Sequence, residues 1–189
     1  MTLFRTVNPA VEPVTLADAK AHLRVDHASE DTLITGLVAA ARDHVERQTG
    51  LALIDQDWRL ALDRWPATGI IPLGRHPVSV VLSVTVYDGD GGASPVDPAG
   101  YQLDAHSRPA RLLVHERPPA GLCMNGIEID FRAGFGAAGT DVPDLVKRAM
   151  LMLVAHWYEF RGSHGAEAQP VSVPAGFDRL VAGYRPGRL

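Results

Sequence analysis

The residues with the most specific chemical spacing are three glycines in the segment 134–139, which match the pattern GxGxxG. In a dinucleotide-binding fold this pattern follows a strand, opens a helix and cradles a pyrophosphate. Here Asp141 and Asp144 stand where the phosphates would lie, and negative charge there opposes anion binding. The preceding strand, predicted over Ile127–Arg132, alternates charged with apolar residues and does not fit a parallel sheet covered on both faces. The glycines therefore predict a turn, with a small nucleotide-binding protein as the alternative function.

Two other groups of residues match metal-binding motifs only in part. Asp88–Gly92 reads DGDGG, as at the start of a calcium loop, but the third acidic position and the closing glutamate are absent. His156 and Glu159 lie three residues apart, with His164 nearby, but the second histidine of a zinc-protease motif is missing. We therefore predict a hairpin turn at Asp88–Gly92, and a polar helix stripe formed by Asp144, Arg148, His156 and Glu159. We predict no metal and no cofactor. No motif in the sequence requires an enzyme.

Composition and charge narrow the class of protein. The chain has 189 residues, 46% of them hydrophobic, which suffices for a core and predicts a single domain over residues 1–189. We expect neither a signal peptide nor a membrane span, and the lone Cys123 indicates a reducing compartment. A net charge of −4 argues against a protein that grips nucleic acid. All the basic residues except Lys20 and Lys147 are arginines, which suit protein interfaces.

The N-terminal part predicts a pair of helices over residues 13–50. Thr15 and Asp18 have the spacing of a capping box and open a first helix over Leu16–Val25. Ser29 is the predicted cap of a longer second helix, whose apolar residues recur at helical spacing. Gly50 follows the last of them and predicts the end of that helix.

The middle of the chain predicts an antiparallel β-rich insert over residues 57–133. Large apolar residues alternate with smaller or charged ones from Trp58 to Asp63, as in a half-buried strand. Val78–Tyr87 is rich in β-branched residues and ends at the DGDGG turn. Further strands are predicted at Tyr101–Leu103, Arg111–Val114 and Ile127–Arg132.

A long helix is predicted over residues 141–161. Asp141 is its predicted cap, and Pro143 stands near the first helical position, where its missing N–H costs nothing. From Ala149 to Ala155 every residue is apolar, so the helix must be covered on most sides. We expect its large side chains to pack in the core or against a neighbouring subunit, namely Met150, Leu153, Trp157 and Phe160.

The last part, residues 162–189, predicts a linker followed by a short amphipathic helix. Pro174 begins this helix, and the last five residues, RPGRL, include two arginines. Two interpretations remain open: the segment docks on another protein, or it packs on its own domain. The side chains that would dock are Phe177, Leu180, Tyr184, Arg185 and Arg188.

The order of these parts resembles the head-to-tail connector (adaptor) family of tailed bacteriophages and gene transfer agents. The resemblance rests on VTLADAKAHLRVDH, on EDTLITGLVAAARDHVERQTG, on the β-rich middle, and on FRAGFG followed by VPDLVKRAMLMLVAHWYEFRG. It covers about residues 13–189.

This resemblance implies an α+β fold: a helical bundle with an inserted antiparallel β region and a C-terminal docking tail. It also implies a structural protein of the virion or phage-like particle, made in the bacterial cytoplasm. Such proteins form a ring of about a dozen subunits beneath the portal, extend the DNA channel and carry the stopper or tail proteins. Double-stranded DNA would pass without sequence specificity, with Lys147 and Arg148 as the candidate channel-facing residues. A monomeric ligand-binding or regulatory domain is a further alternative.

Overall fold

The computed structural model describes residues 1–160 and 173–185. The chain forms two compact units, a sheet unit of Met1–Ala10 with Asp55–Phe135 and a helical unit of Val11–Ile54 with Gly136–Leu189. Helices and antiparallel sheets are both present, which confirms the predicted α+β class. The prediction of one connector domain over residues 1–189 stays a prediction. Within the described residues, no helix is long and apolar enough to cross a membrane.

The sheet unit contains eight strands in two antiparallel sheets. The strand order is β1-β2-β8-β4-β5 in the larger sheet and β3-β7-β6 in the smaller one. The strands are β1 (Thr2–Val7), β2 (Gln56–Leu62), β3 (Ile70–Pro72), β4 (Val78–Tyr87), β5 (Ala93–Pro95), β6 (Tyr101–Asp104), β7 (Arg111–Val114) and β8 (Ile127–Ala133).

Alternation along the two central strands separates a buried face from a polar one. Trp58 of β2 lies opposite Phe131 of β8, and Leu60 lies opposite Ile129. All four side chains are at most 4% exposed. The charged residues between them point the other way, as the two-residue period of a strand requires.

All five predicted strands are present, and three further strands were missed. Among the missed strands, β3 and β5 are only three residues long and contain Pro72 and Pro95. The third, β1, is an edge strand whose residues are exposed or half-buried, so it lacks a clear buried period. The β region therefore includes an N-terminal strand as well as the predicted insert.

The glycines of the GxGxxG segment serve close backbone packing. A Cβ on Gly134 would lie 2.4 Å from the backbone nitrogen of Asp55, and one on Gly139 would lie 2.7 Å from the carbonyl oxygen of Pro13. The preceding strand β8 is antiparallel to both its neighbours, β2 and β4. A dinucleotide fingerprint requires a parallel βαβ unit, so the nucleotide-binding alternative has no structural basis here.

The DGDGG turn connects β4 to β5, which pair antiparallel as a hairpin. Asp88 Oδ1 accepts hydrogen bonds from the backbone N–H of Asp90 at 3.0 Å and of Gly92 at 2.7 Å. The carboxylate therefore satisfies the turn's own amides, in the manner of an Asx turn.

In the helical unit, α1 spans Leu16–Leu23 and α2 spans Asp31–Thr49. The capping box of Thr15 and Asp18 is confirmed. Gly50 ends α2 in the left-handed conformation, with φ 73°, also as predicted. The predicted cap Ser29 is wrong: the N-cap residue is Glu30, and the Ser29 hydroxyl instead lies 2.8 Å from Nδ1 of His27.

Helix α3 spans Asp144–Phe160, and the short helix α4 spans Phe177–Val181. The predicted cap Asp141 is wrong, because its carboxylate accepts from the N–H of Ala138 and closes a separate 3-10 turn, Gly139–Asp141. Pro143 directly precedes α3, and its carbonyl accepts from the N–H of Val146 at 2.9 Å. Helix α3 packs against α1, α2 and α4.

Candidate assembly surfaces

The four residues predicted to pack along α3 occupy different environments. Met150 and Leu153 are fully buried in the core of the helical unit. Trp157 is half-buried and meets the ring of His44 edge-on, with 5.9 Å between centroids. Phe160 is 42% exposed and its ring lies 4.7 Å from that of His156. Among the described residues of its unit, the end of α3 thus leaves an aromatic surface partly exposed.

The C-terminal segment contributes both buried and accessible side chains. Phe177 and Val181 of α4 are at most 1% exposed. Leu180, Tyr184 and Arg185 are half-buried, and Arg185 forms an ion pair with Asp178. The last predicted docking residue, Arg188, lies outside the described residues, as does the predicted linker up to residue 172.

His44 of α2 lies between the aromatic rings of α3 and α4. Its centroid is 5.4 Å from that of Phe177, and its Nε2 atom is buried with no hydrogen-bond partner among the described residues. Burial lowers the pKa of His44, since removal of water disfavours the charged imidazolium. This histidine was not singled out in the sequence, where nothing distinguishes it from a surface residue of α2.

A groove of about 490 Å³ lies between α1 and α3. Its rim carries charges of both signs, and the candidate channel residues are among them. Lys147 Nζ lies 2.9 Å from Asp144 Oδ1, while the Arg148 side chain is exposed. The residues that line the groove are Pro13, Val14, Asp18, Ala21, His22, Asp144, Lys147, Arg148 and Leu151.

The polar face of the larger sheet carries an ionic ladder, formed by Asp57 and Arg59 of β2 with Glu128, Asp130 and Arg132 of β8. Arg59 donates to Asp130 through two nitrogens, at 2.7 and 2.8 Å, and lies 2.9 Å from Glu128. Arg132 donates two hydrogen bonds to Asp57, at 2.7 and 3.0 Å. The hydrogen bonds to Asp130 raise the pKa of Arg59.

Exposed apolar side chains flank the ladder on this face. Phe4 of β1 lies opposite Arg59, and Val80 of β4 lies opposite Arg132. Phe4 is 44% exposed and Val80 is 43% exposed. The ladder's two arginines are already paired with carboxylates, so this face presents apolar contacts rather than free positive charge.

In the described part of the chain, no three or more histidine, cysteine, aspartate or glutamate side chains are grouped to hold a metal ion. Of the predicted polar stripe, His156 contacts Phe160. His164, considered beside it as a possible metal ligand, lies outside the described residues.

Residues 13–88 match the family of phage gp6-like head-tail connector proteins. The resemblance predicted from the sequence is confirmed. No curated protein sequence matches the chain. The matched residues include α1, α2 and the strands β2, β3 and β4.

Solved structures extend the likeness to the full chain. A chain in the neck of an empty gene transfer agent particle, computed with C6 symmetry, is 28% identical with a TM-score of 0.84. A chain in the virion of a native gene transfer agent particle is 29% identical with a TM-score of 0.83. A chain in the neck of a native particle, computed with C12 symmetry, is 27% identical with a TM-score of 0.78. Each match covers 100% of this chain and 97% of the other.

Proposed function

We propose that this chain is a structural head–tail adaptor that forms a ring beneath the portal of a virion or phage-like particle. The observation that carries the proposal is the full-length likeness to chains in gene transfer agent necks. Those necks were computed with C6 and C12 symmetry, which supports a closed ring of about a dozen copies. The role is one of assembly rather than catalysis.

A closed ring of identical subunits requires a heterologous contact, in which two different surfaces of the chain meet. The molecule offers more than one such surface. On the helical unit, Leu33, Leu145 and Phe160 are between 40% and 55% exposed. On the sheet unit, the ionic ladder and its apolar flanks form a second surface. We propose that these surfaces build the ring and the platform for stopper or tail proteins.

The ring extends the channel for double-stranded DNA, and its charge suits passage rather than retention. Each phosphate that a protein neutralises strengthens its grip on DNA, so a conduit needs few free cations. The chain carries a net charge of −4, and Arg59, Arg132 and Lys147 are each paired with a carboxylate. Arg148 is the exposed cation of the predicted channel-facing pair.

The C-terminal segment docks on the portal, with Tyr184 and Arg185 as the accessible contacts and Arg188 beyond them. A pull-down with the portal protein of the same particle tests this. Deleting residues 170–189 should abolish capture, but it also removes the buried Phe177 and Val181. The sharper variant is therefore Tyr184→Ala with Arg185→Ala, which keeps both buried anchors.

We expect this double variant to lower capture by about tenfold or more, the scale of a lost interface hot spot. The matched control is Asp178→Ala, which removes the ionic partner of Arg185 but leaves the arginine available. The control should be captured like the native chain. Full capture of the double variant would contradict docking through these residues, and full capture of the deletion would contradict a docking tail altogether.

A further inference from the structure

The contact between α4 and the rest of the helical unit depends on a small aromatic cluster. Phe177 is buried beside His44, and His44 meets Trp157 of α3 on another edge. A Cβ added to Gly176, directly before α4, would lie 3.3 Å from the terminal methyl group of Met152 on α3. Two apolar side chains of α4, Phe177 and Val181, are fully covered by this arrangement.

We propose that α4 is a latch released by a proton: it stays on α2 and α3 while His44 is neutral and leaves when His44 is protonated. In the protonated ring both nitrogens carry a hydrogen, and the ring adds a positive charge beside Phe177. Nε2 is buried with no acceptor among the described residues, so the Nε2–H of the protonated ring is left without a partner. Such a group is unfavourable unless the contact opens to water.

Charged groups reach His44 from both sides of the contact. Asp43 and Arg47 belong to α2, while Asp178 and Arg185 belong to the C-terminal segment. Helix α3 presents the indole of Trp157. Burial is the largest influence and lowers the pKa of His44; the two arginines lower it further, and the two aspartates oppose them. Release of α4 and the residues that follow it removes the cover of Phe177 and the influence of Asp178 and Arg185, so the pKa of His44 moves toward its ordinary value.

The direction of the pH effect follows from this difference. The docked state has the lower pKa, so the latch is fully closed above the ordinary pKa of histidine, about 6.5. As the pH falls below that value, the released state binds a proton that the docked state does not. The released population then grows by at most about tenfold per pH unit until the pKa of the docked state is reached.

Amide hydrogen exchange of the intact chain measures this release. The reporter is α4 itself, including the N–H of Leu180, which bonds to the carbonyl oxygen of Gly176 at 3.4 Å. Rates are measured from pH 8 to pH 5 and divided by those of an unstructured peptide at the same pH. We expect the protection of α4 to fall with acid in the native chain and to become independent of pH in His44→Gln. The matched control His22→Gln changes an exposed histidine of α1 and should keep the native pH dependence.

A second measurement does not require His44→Gln to fold. The imidazole of His44 is titrated by nuclear magnetic resonance in the native chain and in Phe177→Ala, which weakens the latch. We expect the pKa of His44 to be higher in Phe177→Ala. Two results would contradict the proposal. One is amide protection of α4 that does not change with pH in the native chain, and the other is a His44 pKa that is the same in the native chain and in Phe177→Ala. Both measurements use the isolated chain, so their results do not depend on whether the chain docks on the portal.

Discussion

Arg59 binds Asp130 across two adjacent strands through a pair of hydrogen bonds, from Nε to Oδ1 at 2.7 Å and from Nη2 to Oδ2 at 2.8 Å. The two residues lie 71 positions apart in the sequence and directly opposite each other in the register of β2 and β8. The third guanidinium nitrogen lies 2.9 Å from Glu128. One arginine thus holds two carboxylates that would otherwise repel each other on the surface of the sheet.

Replacing this arginine should destabilise the sheet unit. In Arg59→Ala the charge-assisted hydrogen bonds are lost, and Glu128 and Asp130 remain close together without their cation. We expect a loss of about 1–2 kcal/mol in the free energy of unfolding, measured by urea denaturation. The control is Arg47→Ala, which removes an exposed ion pair on helix α2 and should cost about 0.5 kcal/mol or less. Equal losses in the two variants would contradict a special role for the ladder.

The glycine turn after β8 should tolerate no side chain. In Gly134→Ala the new Cβ would lie 2.4 Å from the Asp55 nitrogen and 2.5 Å from its Cα, so the backbone must move. We expect a loss of about 1–3 kcal/mol in stability, the range for overpacking. Gly89→Ala, in the hairpin of the same unit, meets no atom within 4 Å and serves as the control. A stable Gly134→Ala protein would show that this glycine is not required for packing.

Two substitutions on α3 should distinguish a residue that packs in the core from one that contributes to assembly. Leu153 is fully buried, so Leu153→Ala should cost about 2–5 kcal/mol in stability. Phe160 is 42% exposed, so Phe160→Ala should cost only about 1 kcal/mol or less.

The same Phe160→Ala variant should nevertheless impair the particle. If Phe160 packs against a neighbouring subunit or another neck protein, its loss should reduce the yield of tailed particles by about tenfold, the effect of a lost hot spot. The yield is counted in electron micrographs of particles from cells in which the variant replaces the native chain. A normal yield would remove Phe160 from the assembly surface.

The sheet unit should lose stability in acid through His76. This side chain is 5% exposed, and burial lowers its pKa, with Arg108 and Arg75 nearby lowering it further. Because the folded state has the lower pKa, its contribution to stability is present above about pH 6.5 and is lost as the pH falls. Urea denaturation at pH 8 and pH 5.5 should show this loss in the native chain and a smaller one in His76→Gln. An equal loss in both proteins would assign the acid sensitivity to other groups.

Elements that depend on residues close to one another along the chain could be predicted from the sequence. The capping box of Thr15 and Asp18, the end of α2 at Gly50 and the alternation of β2 all follow from local chemistry. The two helix caps predicted at Ser29 and Asp141 were wrong, because each side chain interacts with a different neighbour. The Ser29 hydroxyl lies against His27, and the Asp141 carboxylate accepts from the N–H of Ala138. Prediction from the sequence also missed β1, which becomes a strand only by pairing with β2, whose paired residues lie 50 or more positions later.

The candidate surfaces were harder to predict, since they depend on contacts between distant segments. The aromatic residues of α3 were recognisable, but the sequence did not distinguish the buried Leu153 from the exposed Phe160. The short C-terminal helix had the expected apolar face, yet only the fold shows that Phe177 is already covered by its own unit. The partners of Arg59 could not be chosen among 22 acidic residues without the strand register.

The central claim is that this chain forms the ring at the head–tail junction. The direct measurement is a cryo-electron microscopy reconstruction of the neck of assembled particles that carry the chain. We predict density beneath the portal that is filled by about a dozen copies of this chain, with the segment around Tyr184 and Arg185 reaching the portal. A complete neck whose density beneath the portal is filled by a different protein would contradict the account.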